Sequence, residues 1–337
     1  MLRYIGKRLL MLIPVLIAIS LVSLIIIDLT PGDPARILLG TQATEEQVEE
    51  LRDELGLNDP FFVRWWKYVS NIVIRGDFGT SLMTKRPVVT EMMERFNYTL
   101  LLVIFGTVFA VIVGIPVGIF AANHQHTWKD SLAIFLSLIA ISMPSFWFSL
   151  LIIRFFGVKL QILPISGIDT WKGWIMPCVS MALGTIAMLA RQMRSDMLEV
   201  LRQDYITTAR SKGLSERKVV YRHALKNALI PVITIVGGMF GASLGGSLIT
   251  EVIFSIPGMG NYIMTGLNNR DYPVIQSGIL ILSALFSVII LFVDVLYALV
   301  DPRIRSQYNR KKSRNKKPGN RRDKGENEKE KEKVAVA

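Results

Sequence analysis

Residues 98–122 read YTLLLVIFGTVFAVIVGIPVGIFAA, twenty-five positions without an Asp, Glu, Lys or Arg. As a helix rising 1.5 Å per residue, this stretch reaches about 37 Å, enough to cross a hydrocarbon core of about 30 Å. Backbone groups find no water inside a bilayer, so such a run must satisfy them within itself, as a helix does. Five further runs share this character: Leu9–Leu29 and residues 132–156, 174–189, 229–250 and 274–300. The 174–189 run is the weakest, being short and carrying Pro177. These six runs predict an all-α integral membrane protein with six transmembrane helices. The chain is 51% hydrophobic and still 20% charged, with the two kinds of residue kept in separate segments. Buried helices of a soluble core would not sort them so sharply.

Lys and Arg distribution sets the orientation. Arg3, Lys7 and Arg8 precede the first run with no acid among them, residues 191–228 hold nine basic residues against four acidic, and residues 301–337 hold fourteen against six. Residues 31–95 reverse the balance, with eight basic and eleven acidic. The positive-inside rule then places both termini and the 191–228 segment in the cytoplasm of a multi-pass cell-membrane protein. The first apolar run exceeds the usual signal-peptide core, and no A-x-A site follows, so it reads as an uncleaved anchor. The net charge of +12 is accounted for by this topology and the basic tail. No aromatic interleaving suggests nucleic acid.

The expected organisation is an N-terminal segment and first span (1–30), an extracytoplasmic loop (31–97), a transmembrane core (98–305) with the cytoplasmic segment 191–228, and a disordered basic cytoplasmic tail (306–337). Within the loop, Thr44 and Gln47 have the spacing of a capping box, predicting a helix that stops at Gly56. Residues 61–68, with Trp65 and Trp66, read as an amphipathic helix at the membrane interface. The tail is too charged to bury a core, although it could touch anionic lipid headgroups.

Residues 191–228 are too patterned for a simple connector. Asp204-Tyr205-Ile206-Thr207-Thr208-Ala209-Arg210-Ser211-Lys212-Gly213 has helical spacing ended by a residue suited to a left-handed stop. Ser215 and Glu216 then suit the start of a second helix. Helix, glycine turn and helix would project from the membrane, with Thr207, Thr208 and Ala209 small enough for close approach to a partner groove. Arg202, Arg210 and Lys212 could meet acidic groups there; an inert basic loop is the alternative.

This segment resembles the EAA loop of ABC importer permeases, most of all the version in the dipeptide/oligopeptide/nickel family and its first-permease (B-type) subunit. Thr207, Thr208 and Ala209 occupy the Glu-Ala-Ala positions of the general motif; its Ile-x-Leu-Pro would fall at His223 to Lys226, where only Leu225 matches, and the proline comes five residues later, at Pro231. Further pieces agree in order: Thr30-Pro31-Gly32-Asp33-Pro34, Gly76-Asp77-Phe78-Gly79-Thr80-Ser81, Leu163-Pro164-Ile165-Ser166-Gly167 and Phe254-Ser255-Ile256-Pro257-Gly258-Met259-Gly260. The resemblance spans residues 1–305. It implies a second, homologous permease subunit, two cytoplasmic ATPase subunits that bind ATP and Mg, and an extracytoplasmic solute-binding protein. The coupling residues it implies are Asp204, Tyr205, Thr207, Thr208, Ala209, Arg210, Lys212 and Gly213. The chain itself has no G-x-x-x-x-G-K-[ST] loop, so it cannot cradle ATP phosphates that way; no catalytic residue, cofactor or metal is expected in it.

Gly237, Gly241 and Gly245 recur every fourth residue in the fifth run, beside a parallel row of Gly238, Ala242 and Gly246. Small residues at this spacing let helices approach closely in lipid, either within the chain or against the partner permease along the pathway. Gly114 and Gly118 around Pro116 read as internal packing. His124 and His126 lack the further ligands a metal needs. Asp294, inside the last run, is explained by snorkelling or an arginine partner. The expected function is the pathway-forming subunit of an ATP-driven importer of di- or oligopeptides. Nickel chelates, glutathione or another small solute are the alternatives on the same architecture. An ion channel, a self-sufficient carrier and a membrane-embedded enzyme are disfavoured: few charges lie inside the spans, no paired catalytic groups share a depth, and those classes have no use for the projecting loop.

Overall fold

The structure, a computed structural model, describes residues 2–29, 32–40 and 42–300. Thr30, Pro31 and the basic tail, with the expectations placed on them, lie outside the described residues, as does the side chain of Asp294. Residues 1–293 form one compact unit and residues 294–337 a second, of which the helical stretch to Val300 is described. Among the described residues the architecture is helical, with no β-sheet and a single bridge between Thr80 and Pro87.

Among the described residues, five helical stretches are long and apolar enough to cross a membrane. They are the Leu9–Leu29 part of α1 (Leu2–Leu29), α5 (Val88–Asn123), Trp171–Leu201 ending in α8 (Ile175–Leu201), Glu216–Ile253 ending in α11 (Leu225–Ile253), and the Tyr272–Val293 part of α13 (Tyr272–Val300). The sixth predicted run is not one straight helix. It is α6 (Trp128–Ser142) followed by α7 (Ser145–Ile152) and a π-helical turn (Ile153–Lys159), bent by 102° between them. Met143 is the cause: it precedes Pro144, which pushes it out of the helical region to φ −80°, ψ 125°.

The bent pair nevertheless runs from one end of the bundle to the other. Asp130, in the first turn of α6, pairs with Arg194 near the C-terminus of α8. Ile152, at the end of α7, is buried with Met176 and Cys178 near the N-terminus of α8, and the hydroxyls of Ser149 and Ser180 bond to each other. With α8 as the ruler, α6 and α7 together make one crossing, which gives six.

Two predicted runs are longer than expected. Pro177 does not weaken the 174–189 run, because it sits in the first turn of α8, where its missing N–H has no partner to lose. The helix continues to Leu201 because Met193 and Met197 stay fully buried beyond the apolar stretch. Likewise the 229–250 run is the middle of a helix that begins at Glu216.

Close packing of α5 on α8 forms the centre. A Cβ on Gly118 would lie 2.6 Å from both the Ala190 carbonyl and the Met193 Cβ, and one on Gly114 3.0 Å from Leu189. Both glycines serve internal packing, as their spacing suggested.

The 31–87 segment carries α2 (Pro34–Leu39), α3 (Glu45–Glu54) and α4 (Phe61–Ser70), then a π-helical turn (Asn71–Arg75). Thr44 and Gln47 form a reciprocal cap at the start of α3: the Gln47 N–H donates to Thr44 Oγ1, and the Thr44 N–H to Gln47 Oε1. Gly56 stops the chain beyond it at φ +68°.

Candidate functional site

The projecting segment is α9 (Asp204–Ser211), a glycine turn, α10 (Glu216–Lys218) and a π-helical turn (Val219–Ala224) that runs into α11. Asp204 opens α9, its charge favourable at the positive end of the helix dipole. The far end closes as a Schellman motif: Leu214 N–H donates to the Ala209 carbonyl (3.4 Å) and Gly213 N–H to that of Arg210 (2.9 Å). Gly213 makes this possible at φ +77°, in the left-handed region that a Cβ disfavours.

The two faces of α9 differ completely. Ile206 and Ala209 are buried, at 0% and 7% exposure, in a cluster with Met193 and Met197 of α8, Val219, Val220 and Ala224 of the π-turn, and Ala228 of α11. Asp204, Thr207, Thr208, Arg210, Ser211, Lys212 and Gly213 are exposed. Thr208 and Ser211 return their hydroxyls to the helix, to the carbonyls of Asp204 (3.0 Å) and Thr207 (3.1 Å), so α9 presents a smooth surface of small side chains.

Ala209 is therefore not part of that surface: it turns inward and seats α9 on its own chain. Tyr205 is half committed, since its hydroxyl accepts from the Asn227 amide at 2.7 Å and ties α9 to α11. Arg210 is held by Glu216 through bonds of 2.7 and 3.3 Å across the glycine turn, while Lys212 projects freely from the exposed side. Ser215 takes the N-cap position of α10 by its backbone alone, without a side-chain cap.

The fifth-span glycines divide. A Cβ on Gly237 would meet Val293 at 2.6 Å, and one on Gly241 would meet Ile290 at 2.8 Å, so these two receive α13 within the chain. Gly245, Gly238 and Gly246 face no atom within 4 Å and, with Ala242, line an exposed stripe.

Several polar clamps at the other end of the bundle were not anticipated. Glu251 is fully buried and accepts from Thr99 Oγ1 (2.7 Å), Ser247 Oγ (3.1 Å) and the Asn261 N–H (3.0 Å), binding α5 and α11 to the N-terminus of α12 (Met259–Asn268). Asp271, also buried, accepts from Ser81 Oγ and from the Leu82 and Met83 N–H groups. Its partner Ser81 closes the quoted 76–81 motif, and Glu251 lies three residues before the 254–260 motif. The sequence signal was thus present, but as motifs without an assigned job. Beside them Arg95 stacks on the Tyr262 ring at 4.4 Å and pairs with Glu91 at 2.7 Å. Burial, with Glu91 and Asp271 nearby, pushes the Tyr262 hydroxyl up to about 12.

Among the described residues no cluster of His, Cys, Asp and Glu could hold a metal. What the arrangement offers is a small exposed helix joined through its buried face to two long helices.

Comparison with known proteins gives this arrangement its context. Residues 114–306 match the family described as binding-protein-dependent transport system inner membrane component, and residues 1–103 match its N-terminal region. A dipeptide transport system permease protein, DppB, of Alkalihalophilus pseudofirmus is 45% identical over 335 residues, covering 90% of this chain and all of the relative. A glutathione transport system permease protein, GsiC, of Escherichia coli K12 is 44% identical over 305 residues, covering 90% of this chain and 99% of that one. In fold, the chain is similar to a structure of the inward-facing MetNI methionine ABC transporter, with a TM-score of 0.54 at 17% identity over 63% of this chain and 96% of the other. The chain belongs to the inner-membrane permease components of binding-protein-dependent ABC importers.

Proposed function

We propose that this chain forms one half of the translocation pathway for di- or oligopeptides, handed over by an extracytoplasmic binding protein, and that α9 is the handle by which two cytoplasmic ATPase subunits move it. The observation that carries the proposal is the two-faced α9. Its buried face, Ile206 and Ala209, locks it to α8 and the start of α11, and its exposed face, centred on Thr207, Thr208 and Ser211, is free for a groove on another protein. Burying Ile206 alone is worth about 2 kcal/mol of attachment, so a push on α9 moves both long helices rather than bending the loop. Alternating access would follow as the ATPases close and rock the helices they grip.

In this reading both termini and α9 are cytoplasmic, as the Lys and Arg distribution supports. The partners are a second, homologous permease, two ATPase subunits that bind ATP and Mg, and surrounding lipid. The open stripe of Gly238, Ala242, Gly245 and Gly246 faces the second permease or the pathway, while Gly237 and Gly241 hold α13. A peptide cargo is favoured by the dipeptide relative; glutathione, itself a small peptide, is the second reading, favoured by the glutathione relatives. The test is uptake of labelled dipeptide and labelled glutathione by proteoliposomes of the whole importer, each with its loaded binding protein. Uptake of neither, with ATP hydrolysis intact, would remove the peptide assignment.

A further inference from the structure

The helix α4 was expected at the membrane surface, and its contacts reach along the first span rather than only to its end. The apolar part of α1, Leu9–Leu29, is 21 residues long. It therefore rises about 30 Å, the thickness of the hydrocarbon core. Ser20 lies in its middle, about 13 Å short of Leu29 along the axis. The indole Nε1–H of Trp65 donates to Ser20 Oγ at 3.0 Å, and Ser20 is buried at 2% exposure. The neighbouring Arg64 reaches the opposite way, pairing with Asp28 at the end of the span at 2.5 Å. The axis of α4 thus sits between mid-membrane and the span's end. Its other flank is anchored below a helix end too: Tyr68 OH bonds Ser277 Oγ at 3.2 Å, and Ser277 is the sixth residue of α13.

The side of α4 turned away from the chain is apolar. Phe62 and Trp66 are 73% and 64% exposed, and Val73 and Ile74 on the following π-turn 77% and 79%. Lys67, on the same side, is drawn off by Asp59 at 2.6 Å. This face continues the apolar surface of α1, where Val22, Ile25 and Leu29 are also exposed. The turn closes with the Gly76 N–H donating to the Ile72 carbonyl (3.0 Å) and the Asp77 N–H to that of Asn71 (3.3 Å).

We propose that α4 and its π-turn lie in the plane of the membrane inside one leaflet, the one nearer the 31–87 loop, with Phe62, Trp66, Val73 and Ile74 against lipid acyl chains. The element straps the end of the first span to the last span from within the bilayer. A docked soluble protein does not fit this position, because the anchors at Ser20 and Ser277 hold α4 below the span ends.

The test places a nitroxide on Phe62→Cys, Trp66→Cys or Val73→Cys, one at a time, in the assembled importer in lipid nanodiscs. Cys178 is buried and stays in place, and unsubstituted protein controls for its labelling. Glu50→Cys, on an exposed position of α3, serves as the water-facing reference. Collision with oxygen is expected to exceed collision with a water-soluble nickel chelate several-fold at 62, 66 and 73, and the order to reverse at 50. Access to the nickel chelate at 62, 66 and 73 would put the face in water and overturn the proposal. Shielding from both reagents would mean a protein partner covers it, and so would shielding that appears when the binding protein is added; either result overturns it as well.

Discussion

Asp130 at the start of α6 and Arg194 near the end of α8 hold each other through two parallel bonds of 2.6 and 2.7 Å, with the carboxylate side chain only 6% exposed. This pair pins one end of a span that Pro144 has broken in the middle. Removing one partner leaves a nearly buried charge, so Arg194→Ala should cost about 2–4 kcal/mol, somewhat less than a fully buried pair because the arginine is partly exposed. The check is thermal unfolding of the purified importer. Asp130→Asn combined with Arg194→Gln should recover part of the loss; a double variant as unstable as the sum of the two singles would argue against a direct pair.

The single crossing by α6 and α7 predicts that the loop after Lys159 and the loop after Asn123 lie on opposite sides of the membrane. Cysteines at Gln125 and Ser166, labelled from outside with a membrane-impermeant maleimide, should respond oppositely. Equal labelling would make the bent pair a re-entrant loop and reduce the spans to five.

Gly213→Pro should abolish uptake in a complex that still assembles, since proline cannot adopt φ +77° and the Schellman closure of α9 would open. Gly213→Ala should be milder, costing about 1 kcal/mol and retaining partial uptake. The readout is labelled-peptide uptake alongside the amount of assembled complex. Normal uptake by the proline variant would show that the turn has no role in coupling.

Within α11, Gly241→Leu should disrupt folding, because even its Cβ would fall 2.8 Å from Ile290. Gly246→Leu meets open space inside the chain, so it should leave this subunit's own folding intact while impairing assembly with the second permease or transport. Expression in membranes and co-purification of partners separate the two. Equal loss of this chain from the membrane in both would refute the distinction between the two faces.

The six apolar runs, the reciprocal cap at Thr44 and the left-handed stop at Gly213 were legible because each rests on local chemistry: bilayer length, side-chain spacing, backbone freedom. The run at 132–156 was legible as apolar, but its break at Met143 and the 102° angle depend on Pro144 and on how α6 and α7 each pack on α8. Ala209 shows where local reading stops. Small size suited it equally to a partner's groove and to its own core, and only the position of Met193 and Met197 assigns it inward. Glu251 and Asp271 lay in or beside visible motifs but could not be given a role for the same reason, since each has a partner far along the chain, 152 and 190 positions away.

The two faces of α9 give the most direct test of coupling. Thr208→Trp adds an indole on the exposed face, whereas Ala209→Trp forces one into the core, where overpacking costs about 1–3 kcal/mol or more. The measurement is ATP turnover of the reconstituted importer with each variant, with and without loaded binding protein. Thr208→Trp should assemble normally and keep basal turnover but lose stimulation and uptake, while Ala209→Trp should lower the yield of complex itself. Full stimulation and full uptake by Thr208→Trp would contradict the assignment of α9 as the coupling helix.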